Sequence, residues 1–351
     1  MADDQRSLLV PMVRRQEVSA DLSHLSGLAA RADAYLAAAQ APATMAAYHD
    51  DWLAWLDFCR RRGCPPDHLT VEAVALFLTD LIDNPSPKTG RRRAVSTVRR
   101  RLYGLIAQAQ QLGYVLDSRH PLITQILDGI EAVHYMPPRR KDALSPEDIR
   151  AMVGHLPLDR RGLRNRAILL LGYVSALRRS ELVSLDAERP DDRSVTDCTG
   201  WIEWHGEQLL IITRGKRGRW REVPVGPGST DWTCPVTAIR RWLEEARIVS
   251  GPVFRPIAPD GTIGAGHLAA KQILYLVQQT ALAAGVRSDL PEADRRRLWG
   301  AHSLRAGVPT YADIDERRVQ RHLGHASVTT TRIYQRERDR FALNITAAVG
   351  L

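Results

Sequence analysis

Leu323-Gly324-His325-Ala326-Ser327-Val328-Thr329-Thr330-Thr331-Arg332-Ile333-Tyr334, read with Ala301-His302-Ser303-Leu304-Arg305 upstream of it, carries the pattern that decides the fold. The His-x-x-Arg spacing puts the His302 imidazole and the Arg305 guanidinium on one face of a helical turn, where both converge on one anion. Gly324-His325 follows, and Tyr334 stands nine residues beyond His325. Taken singly, each has an ordinary reading. A lone histidine is usually a satisfied structural one, and a lone tyrosine is usually core.

Two further segments lie toward the N-terminus. Ala176-Leu177-Arg178-Arg179-Ser180-Glu181-Leu182 ends an apolar run, so the Arg178 guanidinium is expected to be partly buried, with Glu181 at helical reach. An arginine pre-set by a carboxylate binds phosphate in a bidentate geometry, though the same pair in isolation also reads as a structural ion pair. Thr213-Arg214-Gly215-Lys216-Arg217-Gly218-Arg219 reads as the tip of a β-hairpin. A lysine there can enter a DNA groove and protonate a leaving oxygen; a basic turn is also, more simply, a solvated one.

The chain has 351 residues, 49 Lys+Arg against 40 Asp+Glu and a formal charge of +9, which suits two domains, each with its own core. Its longest apolar run, Ala167–Leu177, spans eleven residues. A membrane helix needs roughly 20, so a membrane protein is not expected. The start, MADDQRSLLV, is acidic and lacks the cationic-then-apolar order of an export signal. Cys59, Cys64, Cys198 and Cys234 form no CxxC pair and have no histidine at zinc-finger spacing, so reduced thiols are expected. The expected setting is cytoplasmic, with no membrane.

Net basicity alone says little about partners; its distribution says more. Residues 1–140 carry 17 Lys+Arg against 15 Asp+Glu, yet the segment KTGRRRAVSTVRRR holds seven cations and no acid. These cations, Lys88, Arg91, Arg92, Arg93, Arg99, Arg100 and Arg101, read as a phosphate-binding face, with a solvated helix surface as the blander alternative.

Hydrophobic spacing orders the rest of the chain. Residues 1–40 form an N-terminal extension, with 1–18 as a tail. Tyr48, Trp52, Trp55, Leu56 and Cys59 recur at helical steps with Thr44 as the expected N-cap. Further helices are expected over Val71–Ile82, Thr97–Leu112 and Leu122–Val133, giving a helical domain over 41–135. Met136-Pro137-Pro138-Arg139-Arg140-Lys141 opens a linker (136–144). Ser145-Pro146-Glu147-Asp148 starts a helix again, Leu163–Leu177 is a buried helix, and three strands span Trp201 to Val225. Helices follow to the end of a second domain, 145–351.

In the order Arg178, Lys216, His302-x-x-Arg305, Gly324-His325, Tyr334, the sequence resembles the tyrosine recombinases, the phage-integrase-like family of Cre-like and Xer-like enzymes. The resemblance runs from residue 40 to the C-terminus and rests on ALRRSEL, TRGKRGRWREVPV, AHSLR and LGHASVTTTRIY. It implies a mainly α fold with a small β-hairpin or sheet. A helical, SAM-like, core-binding DNA-binding domain and an α+β tyrosine-recombinase catalytic domain would close on DNA as a C-shaped clamp. Arg178, Lys216, His302, Arg305, His325 and Tyr334 match catalytic positions, and Glu181 the acidic residue supporting the first arginine. Arg217 and Arg219 leave the alignment of Lys216 open. Arg305 and His325 stand 20 residues apart, a shorter span than the resemblance implies, and Pro309 in the shortened part argues against an intact helix there.

The implied chemistry is phosphoryl transfer, in which charge grows on the non-bridging oxygens and fixed cations do the work that Mg²⁺ does elsewhere. No metal and no cofactor are expected. Tyr334 would attack the scissile phosphate, leaving a 3′-phosphotyrosyl enzyme and a free 5′-hydroxyl, with His302 as proton acceptor and Lys216 protonating the leaving oxygen. Two such exchanges through a Holliday junction recombine two duplexes without ATP. The resemblance implies, as partners, double-stranded DNA with paired inverted half-sites, contacted also by Arg139, Arg140 and Lys141, and three further copies in a homotetramer, with no small-molecule substrate and a nucleoid-associated setting through DNA. Phe341, Ile345 and Val349 form an apolar stripe in the segment 338–351 that would join the copies or pack on its own domain. The alternatives are a type IB topoisomerase-like enzyme, which would relax DNA without exchanging strands, and an inactive DNA-binding regulator.

Overall fold

The computed structural model describes residues 25–39, 42–67, 69–87, 89–137, 141–190, 199–215 and 218–324. The chain divides into two compact units, residues 1–138 and 139–351.

The first unit is helical: α1 (Ser26–Ala39), α2 (Pro42–Arg62), α3 (Val71–Asp83), α4 (Val95–Gln111) and α5 (Pro121–His134). Its core gathers around Trp55, Phe58 and Phe77, whose ring centroids lie 5.4–5.6 Å apart, with Leu78, Leu102, Leu105 and Ile123 fully buried around them. Thr70 caps α3, its side chain accepting from Ala73 N at 3.2 Å. Thr44 is not a cap. The helix opens at Pro42, whose fixed φ suits a first turn, and Thr44 lies inside it. The helix expected from Thr97 begins two residues earlier, at Val95.

An ion pair fixes how α2 meets α4. Asp51 is fully buried, and Arg100 donates to both its oxygens at 2.5 and 2.7 Å. Burial pushes the Asp51 carboxyl up, and Arg100 opposes that push. Gly104, one turn on from Arg100, leaves room for the carboxylate: a Cβ there would stand 2.2 Å from Asp51 Oδ2.

The second unit opens with α6 (Pro146–Gly154), closed at its start by a capping box between Ser145 and Asp148. The core helix α7 (Arg160–Ser175) and the short α8 (Arg179–Val183) follow. Four strands, β1 (Leu185–Asp186), β2 (Gly200–His205), β3 (Gln208–Arg214) and β4 (Trp220–Val225), form one sheet in that order. β1 runs parallel to β2, and the other neighbours are antiparallel. Gly206, at φ 62°, makes the tight β2–β3 turn. The helices α9 (Pro235–Ala246), α10 (Ala270–Ala283), α11 (Glu292–Leu298), α12 (Ala301–Tyr311) and α13 (Glu316–Leu323) complete the described part. Ile168, Leu171, Ile211, Val223, Ile239, Trp242 and Phe254 belong to one continuous core joining α7, the sheet and α9.

The segment after Arg305 keeps its helix despite Pro309. That residue sits in the last turn of α12, which runs on to Tyr311. The connection that follows is brief, 312–315, and Asp315 caps α13 by accepting from Arg317 N and Arg318 N. The tail 1–18, Lys88, Arg139, Arg140, Cys198, Lys216, Arg217 and the segment 325–351, with His325, Tyr334 and the apolar stripe, lie outside the described residues.

The fit at Gly104 predicts that Gly104→Ala lowers the stability of the first unit by about 1–3 kcal/mol through overpacking against Asp51. Unfolding in urea would check this; an unchanged midpoint would show that the α2–α4 contact relaxes freely.

Candidate active site

The site grows from the end of α7. Ala176 turns the chain in the left-handed region (φ 48°), and Arg178 then starts α8. One turn in, Glu181 Oε2 accepts from Arg178 N at 2.9 Å while Oε1 accepts from Arg178 Nη1 at 2.6 Å. The expected Arg–Glu pair therefore forms, with the guanidinium part-exposed and the carboxylate only 5% exposed. A third hydrogen bond reaches Glu181 from Arg221 on β4, whose Nη2 lies 2.7 Å from Oε2.

Burial alone would raise the Glu181 carboxyl; Arg221 and then Arg178 more than reverse this and hold it below the ordinary carboxylate range. Burial also lowers the Arg221 guanidinium.

Arg305 occupies the interior side of α12, 4% exposed. Its Nη2 donates to the Leu323 carbonyl at 2.7 Å, and its Nη1 donates to the Ala176 carbonyl. Arg221 Nη1 in turn donates to the His322 carbonyl, and His322 Nε2 donates to the Val174 carbonyl at 2.7 Å. Burial holds the His322 imidazole below its usual value. Two guanidiniums thus cover the last carbonyls of α13, the negative end of that helix. Gly324 follows at φ 62°, and His325 comes next in sequence.

These bonds close a loop. Arg178 joins Glu181, Glu181 joins Arg221, Arg221 and Arg305 hold α13, and Arg305 returns to Ala176, two residues from Arg178. Beside the loop opens a cleft of about 390 Å³, lined among others by Lys141, Arg178, Arg179, Gly300, His302 and Arg305. His302 is exposed on the first turn of α12, and Arg305 lies one turn deeper. The structure therefore brings Arg178, Glu181, His302 and Arg305 together. It also brings Lys141 into the cleft wall, where it donates to the Arg297 carbonyl and burial lowers its ammonium pKa. Such a concentration of cations suits an oxyanion.

The basic segment of the first unit is largely engaged within its own fold. Arg93 donates to the carbonyls of Leu81 and Asn84, Arg99 pairs with Glu131 and Asp128, and Arg100 and Arg101 face Asp51. Arg91 and Arg92 are exposed, with Arg92 Nη1 3.3 Å from His134 Nδ1.

The sequence profile described as the phage integrase family matches residues 142–340, more than half of the chain and all of the cleft except Lys141. The chain belongs to the phage integrase family. This tyrosine recombinase is 26% identical over 313 residues to an integrase/recombinase xerD homolog of Selenomonas ruminantium, covering 86% of this chain and 83% of that one. It is 31% identical over 210 residues to the tyrosine recombinase XerC of Ralstonia pickettii, covering 59% of this chain and 60% of that protein. Among solved structures, a lambda integrase dimer bound to a COC′ core site shares the fold at a TM-score of 0.50 and 15% identity, covering 90% of this chain and 96% of that one. The mainly helical architecture with one small sheet is the fold this recombinase was expected to have.

Reading the sequence by motif leaves Arg221 out, although strand alternation places it on the same face as the buried Val223 and Val225. Lys141, expected among the linker cations to contact the duplex, lines the cleft itself.

The depressed Glu181 pKa has a defined stability consequence. Its contribution is fully present above about pH 4.3, the ordinary glutamate value, and is lost as the pH falls through the lower folded value. Glu181→Gln is expected to cost about 3–5 kcal/mol near neutrality, since it uncouples a buried pair. The gap between the two proteins should narrow as the pH falls below about 4.3, which unfolding curves at pH 7 and pH 3 would reveal. A gap independent of pH would show that the carboxylate charge is not what matters.

Proposed function

We propose that this recombinase cleaves and rejoins DNA at specific sites through a 3′-phosphotyrosyl intermediate formed on Tyr334, and exchanges strands through a Holliday junction. The observation that carries this reading is the cleft in which Arg178, His302 and Arg305 share one wall, within the region matched by the family profile. A phosphodiester held there meets two guanidiniums, one oriented by Glu181 and the other by helix-end carbonyls. Charge that develops on the non-bridging oxygens is then met by donors already in place, so little reorganisation is needed.

In this reading His302 takes the proton from the attacking phenol, His325 adds a hydrogen bond to the phosphate, and Lys216 protonates the departing 5′-oxygen. The phosphotyrosyl bond keeps the energy of the phosphodiester, so religation needs no nucleotide. Fixed cations supply the charge stabilisation, so the reading requires no metal. The enzyme would act in the cytoplasm on double-stranded DNA carrying paired inverted half-sites, as a homotetramer joined through 338–351. Among the described residues, the first unit would hold DNA chiefly through Arg91 and Arg92, since Arg93, Arg99 and Arg100 are paired within the unit.

Covalent capture tests the chemistry. Wild type and Tyr334→Phe are incubated, in EDTA, with nicked duplexes of randomised sequence, and SDS-resistant complexes are sequenced. Adducts from the wild type alone are expected; adducts from Tyr334→Phe, or a strict need for Mg²⁺, would overturn the assignment. For the first unit, Arg91→Ala combined with Arg92→Ala should reduce the slope of log K against log salt by about 1.8, the value for two phosphate contacts. An unchanged slope would remove both from the interface. Deleting 338–351 should abolish tetramers on DNA while sparing single-site binding, as read by gel mobility; persistence of synaptic complexes would exclude that segment as the joint.

A further inference from the structure

Arg221 has no part in the chemistry described above, yet it ties two separate pieces of the site's frame together. It comes from β4, its side chain is 11% exposed, and it reaches two other elements at once. One arm donates to Glu181 on α8, and the other to the His322 carbonyl at the end of α13. Its stem lies against Gly324, where a Cβ would stand 2.9 Å from Arg221 Cδ. Burying a guanidinium costs several kcal/mol that a packed apolar side chain would not. What an apolar residue lacks is the fork that spans a carboxylate and a carbonyl in fixed directions. A lysine, with a single ammonium, cannot reproduce it.

We propose that Arg221 is a positioning residue for strand cleavage. By bridging Glu181 and the α13 carbonyl, it sets Arg178 and the chain leading into His325 in one register. Gly324 is part of the same device, because its left-handed turn and its missing Cβ admit the Arg221 stem. The proposal rests on the recombinase reading and adds a residue that acts through others and does not touch the phosphate.

Loss of Arg221 has two consequences. Arg178 keeps its partner but loses the anchor behind that partner, and the end of α13 loses one of its two guanidiniums. A displacement of about 1 Å at a reacting group can cost ~100-fold in rate, so a loss of that order in adduct formation is expected. Binding, which draws on contacts across both units, should change little. The pH profile separates positioning from simple packing. The charged groups facing Glu181 are Arg178 from its own element and Arg221 from β4, with His322 of α13 beyond Arg221. Without Arg221 the Glu181 carboxyl rises, so it protonates at a higher pH and releases Arg178 sooner. The acid limb of cleavage should therefore move to higher pH.

The experiment compares wild type, Arg221→Met and Arg221→Lys on a nicked duplex that the wild type has captured from the randomised pool. Adduct rate from pH 3.5 to pH 8, DNA affinity by anisotropy and the thermal midpoint are recorded for each. The expected result is a ~100-fold slower rate with near-normal affinity in both variants, and an acid limb shifted upward in Arg221→Met. If Arg221→Met fails to fold, Arg221→Lys, which keeps a cation beside Glu181, carries the test. Wild-type rates and an unmoved acid limb in a folded variant would overturn the proposal. Absence of any adduct from the wild type would instead overturn the recombinase reading, and the positioning role with it.

Discussion

The Glu181 carboxylate accepts three hydrogen bonds from two arginines that arrive from separate parts of the chain, and the rest of the site hangs on that junction. A carboxylate buried this deeply is costly unless it is fully paired. Its two partners satisfy that need in different ways. Arg178 is part-exposed and faces the cleft, whereas Arg221 is inside and reaches on to α13. The same charge that stabilises the fold therefore orients the Arg178 guanidinium toward the cleft. Under the proposed chemistry, stability and cleavage would share one ion-pair network, and a change at Glu181 would disturb both.

The end of α13 is the second fixed point. Carbonyls at a helix C-terminus carry partial negative charge and need donors. Here Arg305 and Arg221 supply them, and His322 ties the same turn to α7. Arg305 does double duty, closing the bond network at Ala176 while lining the cleft beside His302. Motifs separated by more than a hundred residues are thus held by backbone carbonyls, which do not change when side chains are substituted. In the proposed reaction, such a frame would pre-organise donors before substrate arrives, the condition under which fixed charge accelerates phosphoryl transfer most.

Much of this was legible in the sequence. Arg178 and Glu181 lie three residues apart, and His302 and Arg305 likewise, so helical geometry alone predicts that each pair shares a face. The strand pattern and its glycine turns predict β2 to β4, and Ser145-Pro146-Glu147-Asp148 predicts the start of α6. The rest depends on contacts remote along the chain. Arg100 finds Asp51 at 49 residues' distance and Arg99 finds Glu131 at 32, so a run of cations that looks like an open surface is partly structural. Arg221 looks like one more cation in a basic hairpin until Glu181, 40 residues away, is placed beside it. Thr44 lies inside the helix that Pro42 opens, and Pro309 is tolerated because it falls in a final turn.

The central claim is that Arg178 and Arg305, held from behind by Glu181 and by helix-end carbonyls, present their guanidiniums to one phosphate. The most direct test is a crystal structure of Tyr334→Phe bound to the duplex that the wild type captures. The account predicts one phosphate within hydrogen-bond distance of both guanidiniums, with Arg221 still bridging Glu181 and the His322 carbonyl. A duplex seated elsewhere on the second unit, with no phosphate in the cleft beside His302, would contradict it.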